Sequence, residues 1–118
     1  MFNETLVRLL EAKNIITSTE AITLTSLLKT LIPQPLSKYY TREVRDRLLA
    51  LLNKDLNEYT LEDVRELERI ADLMFEEYAM TRRKDLLEYQ ARLRVFAMIV
   101  KILYVEPKIL RGESSQTG

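Results

Sequence analysis

Apolar residues recur along the chain at intervals of three and four, in stretches separated by polar or proline-bearing joints, which predicts a series of amphipathic helices. The first stretch places Phe2, Leu6, Leu9 and Leu10 on one face, with Asn3 as N-cap, Glu4 in the first turn and Asn14 as the stop. Thr17-Ser18-Thr19-Glu20 matches a capping box, in which hydroxyl and carboxylate satisfy two free backbone N–H groups. A second helix is expected from there to about Ile32, burying Ile22, Leu24, Leu27, Leu28 and Leu31. Thr19, Thr23, Thr25 and Thr30 weaken it, because β-branched side chains lose rotamer freedom in a helix, so Ala21 to Thr25 could instead be extended. Pro33 and Pro35 stop this element and make a stiff joint. Ser37 or Thr41 then caps a third helix carrying Val44, Leu48, Leu49, Leu51 and Leu52, with Tyr39 and Tyr40 at its start. Asn53 to Tyr59 reads as a polar turn.

Thr60 to Val105 contains neither Gly nor Pro. As one unbroken helix it would be about 68 Å long, more than a small domain can accommodate without folding back or projecting. Thr60 is a hydroxyl cap, and Glu62 and Asp63 suit the positive end of the helix. Val64, Leu67, Ala71, Met74 and Tyr78 form one heptad-like seam, and Leu86, Tyr89, Leu93, Phe96, Val100 and Leu103 form a second. The step between seams, Tyr78 to Leu86, is one residue longer than a heptad and rotates the second stripe by about 100°. With no breaker in Thr81-Arg82-Arg83-Lys84-Asp85, the pattern favours a helix that continues through with at most a kink, Asp85 as a new cap being the alternative. Met98, Ile99 and Ile102 add apolar positions on other faces, so the last segment should be buried on several sides, in the core or against another chain. Pro107 is expected to end it.

The fold class is therefore all-α, with four to five helices in an antiparallel bundle or irregular array and a long helical stretch at about 60–105. Residues 1–106 read as a single helical domain. Residues 107–118 read as a disordered tail or the start of a linker, because Gly112 to Gly118 has no apolar content.

Composition narrows the chemistry. The chain has no Cys and no His, which removes thiolate metal sites, imidazole switches and the commonest nucleophile–base pairs. Its only glycines, Gly112 and Gly118, make no phosphate loop. Glu62, Glu66, Glu76 and Glu77 lack the Glu-x-x-His partner that carboxylate metal sites on helix bundles use. The expectation is a non-enzymatic protein with no cofactor and no metal. The most apolar window, Val95 to Val105, is too short to span a bilayer and holds Lys101, so a cytoplasmic protein without a membrane segment is expected. Few glycines, no cysteine and ion-pair spacing are also a thermophile's composition.

A formal charge of zero argues against a general nucleic-acid coating role, yet it hides a segregation: +3 over residues 1–54, −7 over 55–80 and +4 over 81–118. The densest basic cluster is Arg82, Arg83 and Lys84 with Arg92 and Arg94. Three readings of it stand side by side: contact with nucleic-acid phosphates, contact with an acidic protein, or internal pairing with the acidic block. The helix from Leu93 through Phe96 and Val100 to Leu103, with Tyr39 and Tyr40, is the candidate protein interface, for a homo- or hetero-oligomer.

The order of these features resembles the α-helical A domain of GINS subunits, found at the replication fork of archaea and eukaryotes. The residues that carry the resemblance are Leu9-Leu10-Glu11 ending the first helix and Tyr39-Tyr40 ahead of Arg42-Glu43-Val44-Arg45. They continue with Glu66-Leu67-Glu68-Arg69 leading to Arg82-Arg83-Lys84, and with the apolar helix Leu93 to Leu103. The chain departs from the family pattern in the threonine-rich stretch from Ile15 to Pro35 and in having no β-rich segment after Pro107. The resemblance implies an isolated A domain that scaffolds a helicase-associated complex, with long helices as the assembly surfaces and no catalytic residue. The alternative is a small helical nucleic-acid-associated subunit, of the kind found in CRISPR effectors or among archaeal viral regulators, that uses the basic cluster 82–94.

Overall fold

The computed structural model describes residue 19, residues 21–36 and residues 38–112. The first predicted helix, most of the capping box at 17–20, and the tail from 113 lie outside the described residues. Within them the chain is all-α: α1 over residues 21–30, α2 Arg42–Leu52, a 3-10 turn Leu56–Glu58, α3 Leu61–Thr81, α4 Lys84–Val100, and a π-turn Lys101–Val105 that runs into α5 Glu106–Leu110. The last three pieces join into one continuous helical run.

Each start has a local cause. Thr41 caps α2, its hydroxyl accepting from Val44 N–H. Thr60 caps α3 through a reciprocal box: Asp63 N–H donates to the Thr60 hydroxyl at 3.2 Å, and Thr60 N–H donates to the Asp63 carboxylate at 3.0 Å. Lys54 pairs with the same carboxylate, tying the end of α2 to the start of α3.

The stretch 60–105 does not continue as one helix. α3 ends at Thr81, Arg82 turns into the left-handed region at φ 62°, and α4 starts two residues later. Thr81 takes part in the stop, its hydroxyl donating to the Glu77 carbonyl and accepting from Arg83 N–H. Asp85 is not the cap; Arg83 holds that position without a side-chain bond, and Asp85 sits in the first turn, paired to the Arg83 guanidinium at 2.8 Å. That pairing holds the Asp85 carboxyl below its usual value. The extra residue between the seams is thus consumed by a hairpin, and the two seams face each other instead of serving two neighbours. Because a side chain at φ 62° is strained, Arg82→Gly is expected to stabilise the fold by about 0.5–1 kcal/mol, read as a thermal midpoint raised by a few degrees.

Pro107 does not end the helix either. A proline ring clashes with the carbonyl four residues back and removes one N–H. The π-turn before it, where Glu106 N–H reaches the Lys101 carbonyl, is a widened turn, and Pro107 falls in the first positions of α5, where a missing N–H costs least. Residues 107–110, expected as tail, are therefore helical, and Lys108 pins them by donating to the carbonyls of Asn57 and Tyr59.

The core is contiguous. Val44, Leu48 and Leu52 of α2 meet Val64, Leu67, Ile70, Ala71 and Met74 of α3, and Leu86, Tyr89, Leu93, Phe96, Ala97 and Val100 of α4. Three buried tyrosines stitch it to the backbone: Tyr40 donates to the Pro33 carbonyl, Tyr89 to Leu28, and Tyr59 to Leu51. The Leu28 and Leu51 carbonyls lie in the last turns of α1 and α2, and the Leu51 carbonyl also accepts from Lys54 N–H at 3.1 Å. Burial pushes the Tyr40 hydroxyl up to about 12 and raises those of Tyr59 and Tyr89 as well.

α1 is helical, which settles the choice at Ala21 to Thr25, but its inner face differs from the expected one. Ala21 and Leu28 are buried and Leu24 half-buried, while Ile22, Leu27 and Leu31 face outward. The bond from Tyr89 to the Leu28 carbonyl fixes this rotation.

Candidate assembly face and basic end

α4 carries two apolar stripes. The inner one contains Leu93, Phe96 and Val100, all expected at an intermolecular interface, and all are fully buried within this chain's own core. Leu103, in the π-turn, is half-buried. Tyr40 is also interior, and Tyr39 is half-buried, its N–H donating to Glu77 Oε1 at 2.8 Å. The physical reason is the hairpin at Arg82, which folds α3 onto the very seam that an unbroken helix would have left for a partner.

The outer stripe is different. Val95, Met98 and Ile102, spaced three and four, are 46%, 53% and 51% exposed. They lie on one face of the continuous α4–π-turn run. The sequence singled out Met98 and Ile102 as surplus apolar positions but not Val95; its spacing from Met98 was the available signal. Beside this stripe, Thr19, Thr23, Leu24 and Leu27 of the α1 segment and Val95 and Ile99 of α4 line a groove of about 400 Å³.

The basic cluster divides. Arg94 pairs with Asp72 at 2.8 Å and also donates to Gln90, and Arg92 is exposed farther along α4. Arg82, Arg83 and Lys84 sit in and beside the hairpin turn. The bond from Tyr39 N–H to Glu77 brings the segment ahead of α2 to the same end of the bundle, adding Lys38, Arg42 and Arg45. Lys38 lies over the Tyr39 ring and Arg82 over the Tyr78 ring, each at 5.7 Å. Among the described residues Lys38, Arg42, Arg45, Arg82 and Lys84 form no salt bridge, whereas Arg47, Lys54, Arg69, Arg83, Arg94 and Lys101 do. Arg83 Nη1 is buried without a hydrogen-bond partner among the described residues. Glu43 and Asp46 temper the charge there.

The buried Glu77 is the site's one interior carboxylate. It accepts from the Tyr39 backbone N–H, which braces the 38–40 segment against α3. Among the described residues no group of three or more Asp or Glu side chains is placed to hold a metal ion, and no helix is long and apolar enough to cross a membrane. Compared with models of protein families, with curated proteins and with solved structures, the chain matches none.

Proposed function

We propose that this chain is a non-enzymatic helical scaffold that assembles with a second copy of itself through the outer stripe of α4. The observation that carries the reading is the stripe of Val95, Met98 and Ile102, half-exposed and in register along one helix face. Large apolar side chains scattered singly on a surface are ordinary, but three in one helical row are the pattern that helix pairing uses. A formal charge of zero adds no electrostatic barrier between copies. The order of amphipathic, aromatic, acidic, basic and apolar segments supports a GINS-like setting, where such a module contributes contacts and no catalysis. The double variant Met98→Glu/Ile102→Glu is expected to keep wild-type helicity by circular dichroism and to lose association by light scattering. A variant that associates as wild type does would remove the stripe from the account.

A second reading rests on Lys38, Arg42, Arg45, Arg82 and Lys84 at the hairpin end, which form no salt bridge among the described residues. In it the protein binds a nucleic-acid strand by its phosphates, with Tyr39 and Tyr78 beside the backbone-binding cations. Titration of labelled single- and double-stranded DNA and RNA at two salt concentrations tests it. Salt-dependent binding that is lost in Arg82→Ala/Arg83→Ala/Lys84→Ala supports this reading, and no binding at low salt dismisses it.

A further inference from the structure

We infer that the edge of α3 running into the hairpin is a stacking platform for the bases of a single-stranded nucleic acid. The inference rests on the nucleic-acid reading of the hairpin end and names the class of strand that end takes. Phe75 and Tyr78 stand one turn apart on the same edge of α3. The Phe75 ring is 45% exposed, with its centroid 6.0 Å from that of Tyr78 and the two planes tilted at 41°. The Arg82 guanidinium continues the row, 5.7 Å over the Tyr78 ring. Ring, ring and cation thus form a short ladder that ends among the cations of the turn.

Two features set this edge apart from an ordinary solvated helix face. Ala79, one turn beyond Phe75, is small and exposed, so the ring has no bulky neighbour on that side. Arg82 occupies a left-handed position, φ 62°, which glycine would take without strain, so the fold holds a cation there at a conformational cost. The nearby acids leave the ladder open: Asp72, one turn before Phe75, is paired to Arg94 at 2.8 Å, and Glu76 lies about 100° round the helix.

The chemistry favours a single strand over a duplex. In a duplex the base faces are stacked on one another and only the edges open into the grooves, so an exposed ring finds no face to meet. Unpaired bases offer their faces, and stacking on aromatic rings tolerates any sequence. A formal charge of zero points the same way, because a few local cations give only modest phosphate binding and stacking must supply much of the rest. None of these residues belongs to the outer stripe of α4, so strand binding and assembly are separable.

The chain has no tryptophan, so Phe75→Trp places a single reporter on the platform. Labelled oligo-dT of about 15 nucleotides and the matching dA–dT duplex are titrated into the full chain at two salt concentrations. The single strand is expected to bind more tightly than the duplex and to quench the Trp emission. Phe75→Leu, which keeps an apolar side chain at an exposed position, should weaken single-strand binding about tenfold at an unchanged salt dependence. Arg82→Gly, relieved of backbone strain, should lower the slope of log affinity against log salt by about 0.7, the share of one phosphate contact. Equal binding of strand and duplex, with Phe75→Leu behaving as wild type, would overturn the platform and leave the phosphate reading standing. No binding of either at low salt would overturn both.

Discussion

Phe96→Ala is expected to destabilise the fold by about 3–5 kcal/mol, a large share of what a domain of this size has. The ring is fully buried and meets Tyr59 edge-to-face, with centroids 6.1 Å apart and planes at 82°. Removing it loses the transfer free energy of the ring, opens a cavity and strips that aromatic contact. Two residues on and about half a turn round the helix, Met98→Ala should change stability by no more than about 0.5 kcal/mol, because its side chain is half in solvent. Urea unfolding followed by circular dichroism compares the two. At the interface that the sequence resemblance implies, Phe96→Glu or Val100→Glu would disrupt assembly before helicity. The structure reverses the order: both are core substitutions, and helicity should fail first. If Phe96→Ala kept its stability and lost only association, the inner stripe would be an interface after all.

The second large effect is alkaline unfolding. Tyr40, Tyr59 and Tyr89 all have hydroxyls raised from the usual 10.0, chiefly by burial, Tyr40 to about 12. A group whose folded value is raised stabilises the protein fully below its unfolded value, and that stability is lost as pH rises through the folded one. The window therefore opens at 10.0 and for Tyr40 closes at about 12. Each such hydroxyl can contribute up to about 1.4 kcal/mol of lost stability per pH unit, so three acting together approach about 4 kcal/mol per unit. Across this window helicity should collapse together with tyrosinate absorbance from the buried rings, recorded on one sample. A helical signal that survives while those rings ionise would show that their bonds to Pro33, Leu28 and Leu51 do not hold the core.

How much of this was legible follows from the range of each cause. Both heptad seams, the caps Thr41 and Thr60 and the all-α class are written in local spacing, and each appears where the pattern puts it. The hairpin was not legible from residue type, because the left-handed position is held by Arg82, where glycine would have announced the break. Only the over-long step from Tyr78 to Leu86 hinted at it. Pro107 misled for a related reason: the widened turn that admits it is a backbone adjustment without a residue signature. In α1 the large side chains Ile22, Leu27 and Leu31 outweighed Ala21 in the pattern, but tertiary contact with Tyr89 chose the other face. On α4, inner and outer stripes read alike, since spacing shows that two faces are apolar and says nothing of which one the same chain covers. The basic end combined Arg82, Arg83 and Lys84 with Lys38, Arg42 and Arg45 across about forty residues of sequence, beyond any local reading.

In the proposed assembly α4 spends its inner stripe on the fold and leaves its outer stripe for a second copy. The native mass of the full chain, followed by light scattering as protein concentration is raised from about 1 µM to several hundred µM, tests it most directly. The expected mass climbs from the 13.9 kDa of the chain towards twice that value. A mass that stays at 13.9 kDa over the whole range would contradict it.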